Sequence, residues 1–243
     1  MIDPRPRQPF RSVWFDCDST LAAIEGIDEL GALRDAATRA RIADLTDRAM
    51  AGELPLAEVY DARLRELAPT AAECESIGQR YVDTALPDAR AVIAALKGLD
   101  KRVGIISGGL LAPVRALARH LEVDENRVHA VPIRFDADGR YVDFDRDSPL
   151  WRNGGKTAVL GSLRRDERPI CFVGDGVTDL EALPVVERFV GFGGIARRVA
   201  VERGTDFYTA EPRLAAVLRF VLTADERDRL RADARFRDLV RGP

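Results

Sequence analysis

At 243 residues, with 46% hydrophobic and 32% charged side chains, the chain has material for one sizeable core and a smaller accessory unit. Its net charge of −3 arises from 37 basic and 40 acidic residues interspersed along the sequence. That pattern offers no basic footprint for a nucleic acid or an anionic membrane surface. No run approaches the roughly 18 apolar residues of a membrane span. Three cysteines, Cys17, Cys74 and Cys171, cannot all pair and form no Cys-x-x-Cys, which points to a reducing, cytoplasmic setting. Only His120 and His129 are available for histidine catalysis or zinc binding, and both are placed like ordinary helix-end or strand-edge residues.

Residues 1–10 read as a flexible leader, because Met1 to Gln8 is rich in Pro and Arg and lacks the apolar region of a signal peptide. Val13-Trp14-Phe15 is then an apolar run of the kind found in strands buried on both faces of a parallel sheet. From 29 to 86 the pattern is helical. Leu30, Leu33, Ala37 and Ala40 are spaced for one helical face. A second helix opens near Pro55, a residue tolerated in a first turn, with Leu56, Val59 and Leu64 inward. A third is announced by Thr70 and Glu73, a capping-box pair. With no strand in it, this block is expected to sit over the strand ends as a cap.

Strand–helix alternation resumes over 87–222, which together with 11–28 would form the catalytic core. Pro87 to Leu99 is an amphipathic helix, Val103 to Ile106 a strand, and Leu110 to Leu121 the next helix. Asp138-Gly139, between alternating apolar residues from Arg134 to Asp145, signals a hairpin. A helix from Lys156 to Leu163 and strands at Ile170–Val173 and Phe189–Phe192 follow. This alternation argues for an α/β fold with a doubly wound parallel sheet. Residues 223–243 are highly charged with helical spacing and read as a solvated terminal helix without an assigned role.

Chemistry concentrates in two acidic strings that each follow an apolar run: Asp16-Cys17-Asp18-Ser19-Thr20 and Gly174-Asp175-Gly176-Val177-Thr178-Asp179. In open α/β sheets the ligand crevice lies beyond the carboxyl ends of the strands. Carboxylates gathered there repel one another unless a cation sits among them, and a hard dication such as Mg²⁺ suits oxygen ligands. Asp16 could attack phosphorus directly while Asp18 protonates the leaving oxygen and later deprotonates water. Alone, an Asp-x-Asp after a strand is a turn with a helix cap, and the downstream acidic pair is what favours chemistry. Asp179, one turn into a helix, is placed to hold a lysine. Ser107-Gly108-Gly109 could cradle a phosphate at a helix start or simply cap that helix. Lys156 could neutralise a transferring phosphoryl group. The string Gly154-Gly155-Lys156-Thr157 fails as a P-loop, since Leu150 stands where glycine is needed and no strand precedes it. The run from Gly191 to Ala196 matches a dinucleotide fingerprint only weakly and reads as a tight turn at the sheet edge.

Taken in order, Asp16-Cys17-Asp18-Ser19-Thr20, Ser107-Gly108-Gly109, Lys156 and the string from Gly174 to Asp179 resemble the motif set of the haloacid dehalogenase superfamily. The resemblance spans roughly Ser12 to Phe207. The strings from Glu25 to Leu30, Ala49-Met50 with Arg63, and Val190 to Gly194 are similar to its phosphoserine phosphatase family. The resemblance implies a nucleophilic Asp16, an acid/base Asp18, and Mg²⁺ on Asp16, Asp175 and the backbone carbonyl of Asp18. It implies phosphate held by Ser107, Gly108, Gly109 and Lys156, with Thr178 beside the substrate and Met50 covering it. Glu25 would meet the ammonium of a phosphorylated amino acid and Arg63 its carboxylate, although by spacing alone both pass for surface charges. A small-molecule substrate, and a monomer or homodimer, would follow. Two departures stand out. Ala51 replaces a usual glycine, and Cys17 would be sensitive to oxidation if exposed. The rival readings are a phosphatase or phosphotransferase for another small phosphomonoester such as phosphohomoserine, and an aspartate-phosphorylated signalling switch. Against the switch stand the hydrolytic acid/base at Asp18 and the lid-like helical insertion.

Overall fold

The computed structural model describes residues 4–50 and 54–241, with backbone alone for 46–50 and 56. The chain opens with strand β1 (Ser12–Phe15) and then four helices, α1 (Gly26–Ala32), α2 (Ala36–Met50), α3 (Leu56–Leu67) and α4 (Ala71–Asp83). Helix α5 (Ala89–Gly98), β2 (Arg102–Leu110), α6 (Leu111–His120) and β3 (Val128–Val131) come next. A small hairpin, β4 (Ile133–Phe135) and β5 (Tyr141–Phe144), precedes α7 (Gly155–Ser162), β6 (Ile170–Gly174), α8 (Val177–Leu180) and β7 (Arg188–Phe192). The chain closes through α9 (Val199–Gly204), β8 (Tyr208–Thr209), α10 (Leu218–Val221) and α11 (Ala224–Ala232).

Six strands form one parallel sheet in the order β3-β2-β1-β6-β7-β8. This is the expected doubly wound α/β sheet with a helical insertion after its first strand. All residues of β1 and β6 are buried, as continuous apolar strands require when both faces are covered. The chain runs outward from β1 through β2 and β3, then returns to the other side of β1 with β6. The reversal therefore falls at β1, and the crevice beyond its carboxyl end is where such sheets bind ligands.

Local signals explain much of the insertion. Thr70 accepts from the Glu73 N–H at 3.2 Å while Glu73 accepts from the Thr70 N–H at 2.8 Å, a complete capping box. The Arg34 guanidinium grips both oxygens of Glu73 (2.5 and 2.8 Å) and the Leu67 carbonyl, and pushes the Glu73 carboxyl down to about 2. Val59 and Leu64 point inward as their spacing predicts. Leu30, Leu64, Leu67, Ile77 and Tyr81 belong to the same hydrophobic cluster as Val13, Phe15, Ile105 and Phe172 of the sheet. Helix α4 packs along α6.

Several expectations change. Leu30 to Ala40 is two helices, because Asp35 caps the Thr38 N–H at 2.7 Å and starts α2 anew. Thr38 and Ile42 face the core from α2, while Leu33 is 45% exposed. Two strands escaped notice, the short β3 and the two-residue β8, since neither is long enough to display a period. The described part of the leader is anchored at points along it, although Pro4, Arg7, Gln8 and Pro9 are exposed. Pro6 and Phe10 are buried, and the Arg188 guanidinium lies 5.5 Å from the Phe10 ring centroid and donates to the Pro4 carbonyl at 2.8 Å.

The tail is not one solvated helix. It ends its α-helix at Ala232, turns through a short 3₁₀ segment at Arg237–Val240, and buries Leu230, Phe236 and Val240. Glu226 reaches inside to the Lys101 ammonium at 2.5 Å, and Lys101 also donates to the Phe10 carbonyl at 2.9 Å. Lys101 and Glu226 are 1% and 7% exposed, so removing one partner strands the other charge in the interior. Glu226→Ala is expected to lower unfolding stability by about 3 kcal/mol. The joint change Lys101→Met with Glu226→Leu should cost clearly less. Urea denaturation of the three variants against the parent checks both.

Candidate active site

The strand ladder continues one residue past β1, with the Asp16 N–H donating to the Val173 carbonyl at 2.9 Å. This sets Asp16 beside the end of β6. The chain then turns tightly, with the N–H groups of Thr20, Leu21 and Ala22 all aimed at the Cys17 carbonyl and Ser19 in the left-handed region at φ 50°. The turn separates Asp18 from Asp16 and gives each its own partners.

Asp16 Oδ1 accepts from Lys156 Nζ at 2.7 Å, and Lys156 also donates to Asp179 Oδ1 at 2.5 Å. Asp179 Oδ2 accepts from the Gly176 N–H at 2.9 Å, so both its oxygens are engaged. Gly174 makes that possible, since a Cβ at this position would collide with the Asp179 side chain. Asp175 accepts from Thr20 Oγ1 at 3.2 Å and from Arg198 Nε at 2.9 Å. Arg198 Nη2 continues to Glu25 Oε1 at 3.2 Å, which also accepts from Ser19 Oγ at 2.8 Å.

Asp18 is held differently. Its Oδ1 accepts from the Gly26 N–H at 2.7 Å and the Tyr81 hydroxyl at 2.5 Å, and its Oδ2 from Ser107 Oγ at 3.2 Å. Ser107 Oγ in turn accepts from the Gly109 N–H at 2.8 Å.

Burial and mutual repulsion shape the electrostatics. Burial, with the Asp16 charge adding to it, pushes Asp175 up to about 8. The same pair of causes raises Asp179 to about 6, and burial with the Asp18 charge raises Glu25 to about 7. Asp16 is also raised by burial, against the pull of Lys156. Burial alone would depress Lys156, but the Asp16 and Asp179 carboxylates outweigh it and hold the ammonium above its ordinary value.

Oxygens of Asp16, Asp175 and Asp179 all lie within 4.8 Å of one another, an all-carboxylate donor set that fits a hard divalent cation. Both oxygens of Asp175 and both oxygens of Asp179 already accept hydrogen bonds, and Asp179 also grips the Lys156 ammonium.

A cavity of about 760 Å³ opens above these strand ends. Asp16, Asp18, Glu25, Arg63, Lys156 and Arg198 supply its charged wall, with Gly108, Gly109, Thr178, Asp175 and Asp179 also lining it. Ser107 lies just behind, fully buried against Asp18. Arg63, on α3, pairs with Asp28, while its Nε is buried without a partner among the described residues. The Met50 side chain and Ala51 fall outside the described residues.

Two expectations need correction. Ser107-Gly108-Gly109 is the last part of β2, and α6 starts only at Leu111, so no helix terminus supplies a phosphate cradle at Ser107. Cys17 is wholly buried, and burial pushes its thiol far up, so it is not an exposed oxidation site. Sequence reasoning missed Arg198, Tyr81 and Tyr60, the last a buried side chain that also lines the cavity. Arg198 had a usable signal, a basic pair following a glycine-rich strand end. The two tyrosines had none, since each occupies an ordinary inward position on a helix.

Residues 10–186 match the haloacid dehalogenase-like hydrolases. The chain belongs to that family. Within it, the chain is 32% identical to phosphoserine phosphatase of Rattus norvegicus over 202 residues, covering 82% of this chain and 89% of the relative. It is 33% identical to the phosphoserine phosphatase of Drosophila melanogaster over 207 residues, covering 84% and 76% respectively. A substrate-bound phosphoserine phosphatase complex shares the fold, with a TM-score of 0.73 at 22% identity over 89% of this chain and all of the other. This haloacid dehalogenase-like hydrolase carries its acidic cluster beyond the strand ends, where open α/β sheets bind ligands.

The shifted carboxyls give the cluster a pH signature. Asp175 and Glu25 titrate higher in the folded protein than their ordinary values of 3.8 and 4.5. The folded state thus keeps protons that the unfolded chain has released, and the associated stability is complete below the unfolded values and lost as pH rises toward the folded ones. Metal-free protein is expected to melt at progressively lower temperature from about pH 5 to about pH 8. Added divalent cation should raise the midpoint, and more at the upper end of that range. Calorimetry with and without EDTA measures both trends.

Proposed function

We propose that this hydrolase is a cytoplasmic, Mg²⁺-dependent phosphatase that converts O-phospho-L-serine to L-serine and phosphate, the last step of serine biosynthesis. The observation that carries the reading is a single cavity with Asp16 and Lys156 at its floor and Glu25 and Arg63 on its wall. One acidic and one basic group suit the ammonium and carboxylate of an amino acid, and the buried Arg63 Nε, without a partner among the described residues, has a donor to spare for a carboxylate. The identity to phosphoserine phosphatases over most of both chains supports the same substrate. Three buried, unpaired cysteines agree with a reducing compartment. Among the described residues no helix is long and apolar enough to cross a membrane.

Asp16, Asp175 and the Asp18 backbone carbonyl would hold Mg²⁺, which when bound neutralises the crowded carboxylates and phosphate oxygens. Asp16 attacks phosphorus and carries the phosphoryl group as an ester. Lys156, fixed between Asp16 and Asp179, keeps a positive charge beside the transferring group. Asp18 protonates the departing serine oxygen and later takes a proton from the attacking water. Gly108, Gly109 and Thr178 line the cavity where the phosphate would sit, with Ser107 buried behind them. The wall of α3 and the turn before α1 exclude water and orient the amino acid.

A phosphate-release panel of phosphorylated amino acids and sugars tests the substrate. Phosphoserine with Mg²⁺ should be turned over best and EDTA should stop it, whereas rapid hydrolysis of another monoester with phosphoserine inert overturns the reading. Asp16→Asn should abolish turnover. Arg63→Ala is expected to lower kcat/KM for phosphoserine by about 10–100-fold, the worth of a charged hydrogen bond. It should affect p-nitrophenyl phosphate, which lacks the carboxylate, far less.

A further inference from the structure

We infer that Tyr81, contributed by the helical insertion, is a positioning residue for Asp18. It occupies one carboxylate oxygen so that the other presents the catalytic proton. The inference rests on the reading of Asp18 as acid/base.

The geometry is specific to single atoms. Asp18 Oδ1 accepts two hydrogen bonds, from the Tyr81 hydroxyl at 2.5 Å and the Gly26 N–H at 2.7 Å. The Gly26 N–H is a fixed donor, and while the Tyr81 hydroxyl also donates to Oδ1 that oxygen has no room for a proton of its own. The proton of the acid form therefore resides on Oδ2. That oxygen faces Ser107 Oγ at 3.2 Å, and the hydroxyl rotor can donate to an ionised Oδ2 or accept from a protonated one.

Tyr81 is itself immobilised. It is 1% exposed and sits on α4, which packs along α6. The fit at Oδ1 is close enough to dictate a neighbour, since a Cβ at Gly26 would collide with the Tyr81 hydroxyl. Tyrosine and glycine thus converge on one oxygen from two directions, one from α4 and one from the first residue of α1.

The consequence falls on one bond. As an Asp16 oxygen bonds to phosphorus, the bond from phosphorus to the alcohol oxygen breaks and its electron pair stays on that oxygen. The Oδ2 proton moves to it and leaves Asp18 ionised. Water then attacks the aspartyl phosphate, gives a proton back to Oδ2, and releases inorganic phosphate and the Asp16 carboxylate. An alkoxide such as that of serine needs the proton in order to leave, whereas p-nitrophenolate leaves without it. Because kcat/KM reports only as far as departure of the leaving group, it isolates the step in which proton donation differs.

The test compares kcat/KM for phosphoserine, or the alkyl phosphate that the panel selects, with kcat/KM for p-nitrophenyl phosphate. Tyr81→Phe removes one oxygen and keeps the ring, and its thermal midpoint reports on packing. The expected result is a loss of about tenfold on the alkyl phosphate and less than about threefold on the aryl phosphate. Gly26→Ala, which displaces the hydroxyl from the opposite side, should show the same asymmetry. Asp18→Asn sets the reference and should show the asymmetry more strongly. Equal losses on both substrates, or none, in Tyr81→Phe while Asp18→Asn is asymmetric overturn the inference alone. An Asp18→Asn variant without asymmetry overturns the acid/base reading beneath it.

Discussion

Crowding of negative charge at the ends of β1 and β6 is the constraint around which this molecule is built. Asp16, Asp175 and Asp179 converge in a place from which water is largely excluded, with the Glu25 carboxyl close by. Burial and like charge both raise their affinity for protons, so the cluster is tolerable only when positive charge is supplied. Lys156 and Arg198 provide part of it from within the chain, one bridging Asp16 to Asp179 and the other joining Asp175 to Glu25. The all-oxygen character of what remains suits a hard cation. A site strained in this way favours a ligand that brings positive charge, and a phosphate that arrives with one.

The insertion is more than a cover. Its apolar residues merge with the core cluster, and it is braced from the far side by the hairpin. Phe144 of β5 packs edge-on against Tyr60 of α3 and against Trp151, both at 5.3 Å between ring centroids. Arg146 reaches Asp61 of α3 at 2.8 Å. The hairpin turn also accepts the Ala71 N–H at the start of α4 through the Gly139 carbonyl at 2.9 Å. With α3 and α4 fastened at these points, Arg63 and Tyr81 hold fixed positions relative to the strand ends. Packing in the insertion thereby becomes geometry at the cavity.

The two ends of the chain serve the same rigidity from below. The segment through Phe10, the junction after α5 and helix α11 meet at the buried Lys101–Glu226 pair. Lys101 directly precedes β2, the strand that ends in Ser107, Gly108 and Gly109. The contact that secures the tail therefore lies at the base of a strand whose upper end borders the site.

Much of this could be read from residue order alone, for identifiable reasons. A buried parallel strand shows as a continuous apolar run, so Val13-Trp14-Phe15 and Ile170 to Val173 marked β1 and β6, and with them the positions of Asp16 and Asp175. Thr70 with Glu73 and Asp138-Gly139 carry their turn chemistry within a few residues, and α4 and the hairpin were visible accordingly. Ser107 was misjudged because glycines after a strand suggest a helix start, while the pairing of β2 with β3 extends the strand to Leu110. The sequence by itself determined most of the elements, their parallel arrangement and the kinds of chemical group at the strand ends. Only the tertiary structure decided which oxygen meets which donor: Tyr81 on Asp18, Arg198 on Asp175, Glu226 on Lys101. These partners are brought together from distant points of the chain by packing, and no local period of hydrophobicity or charge records such a meeting.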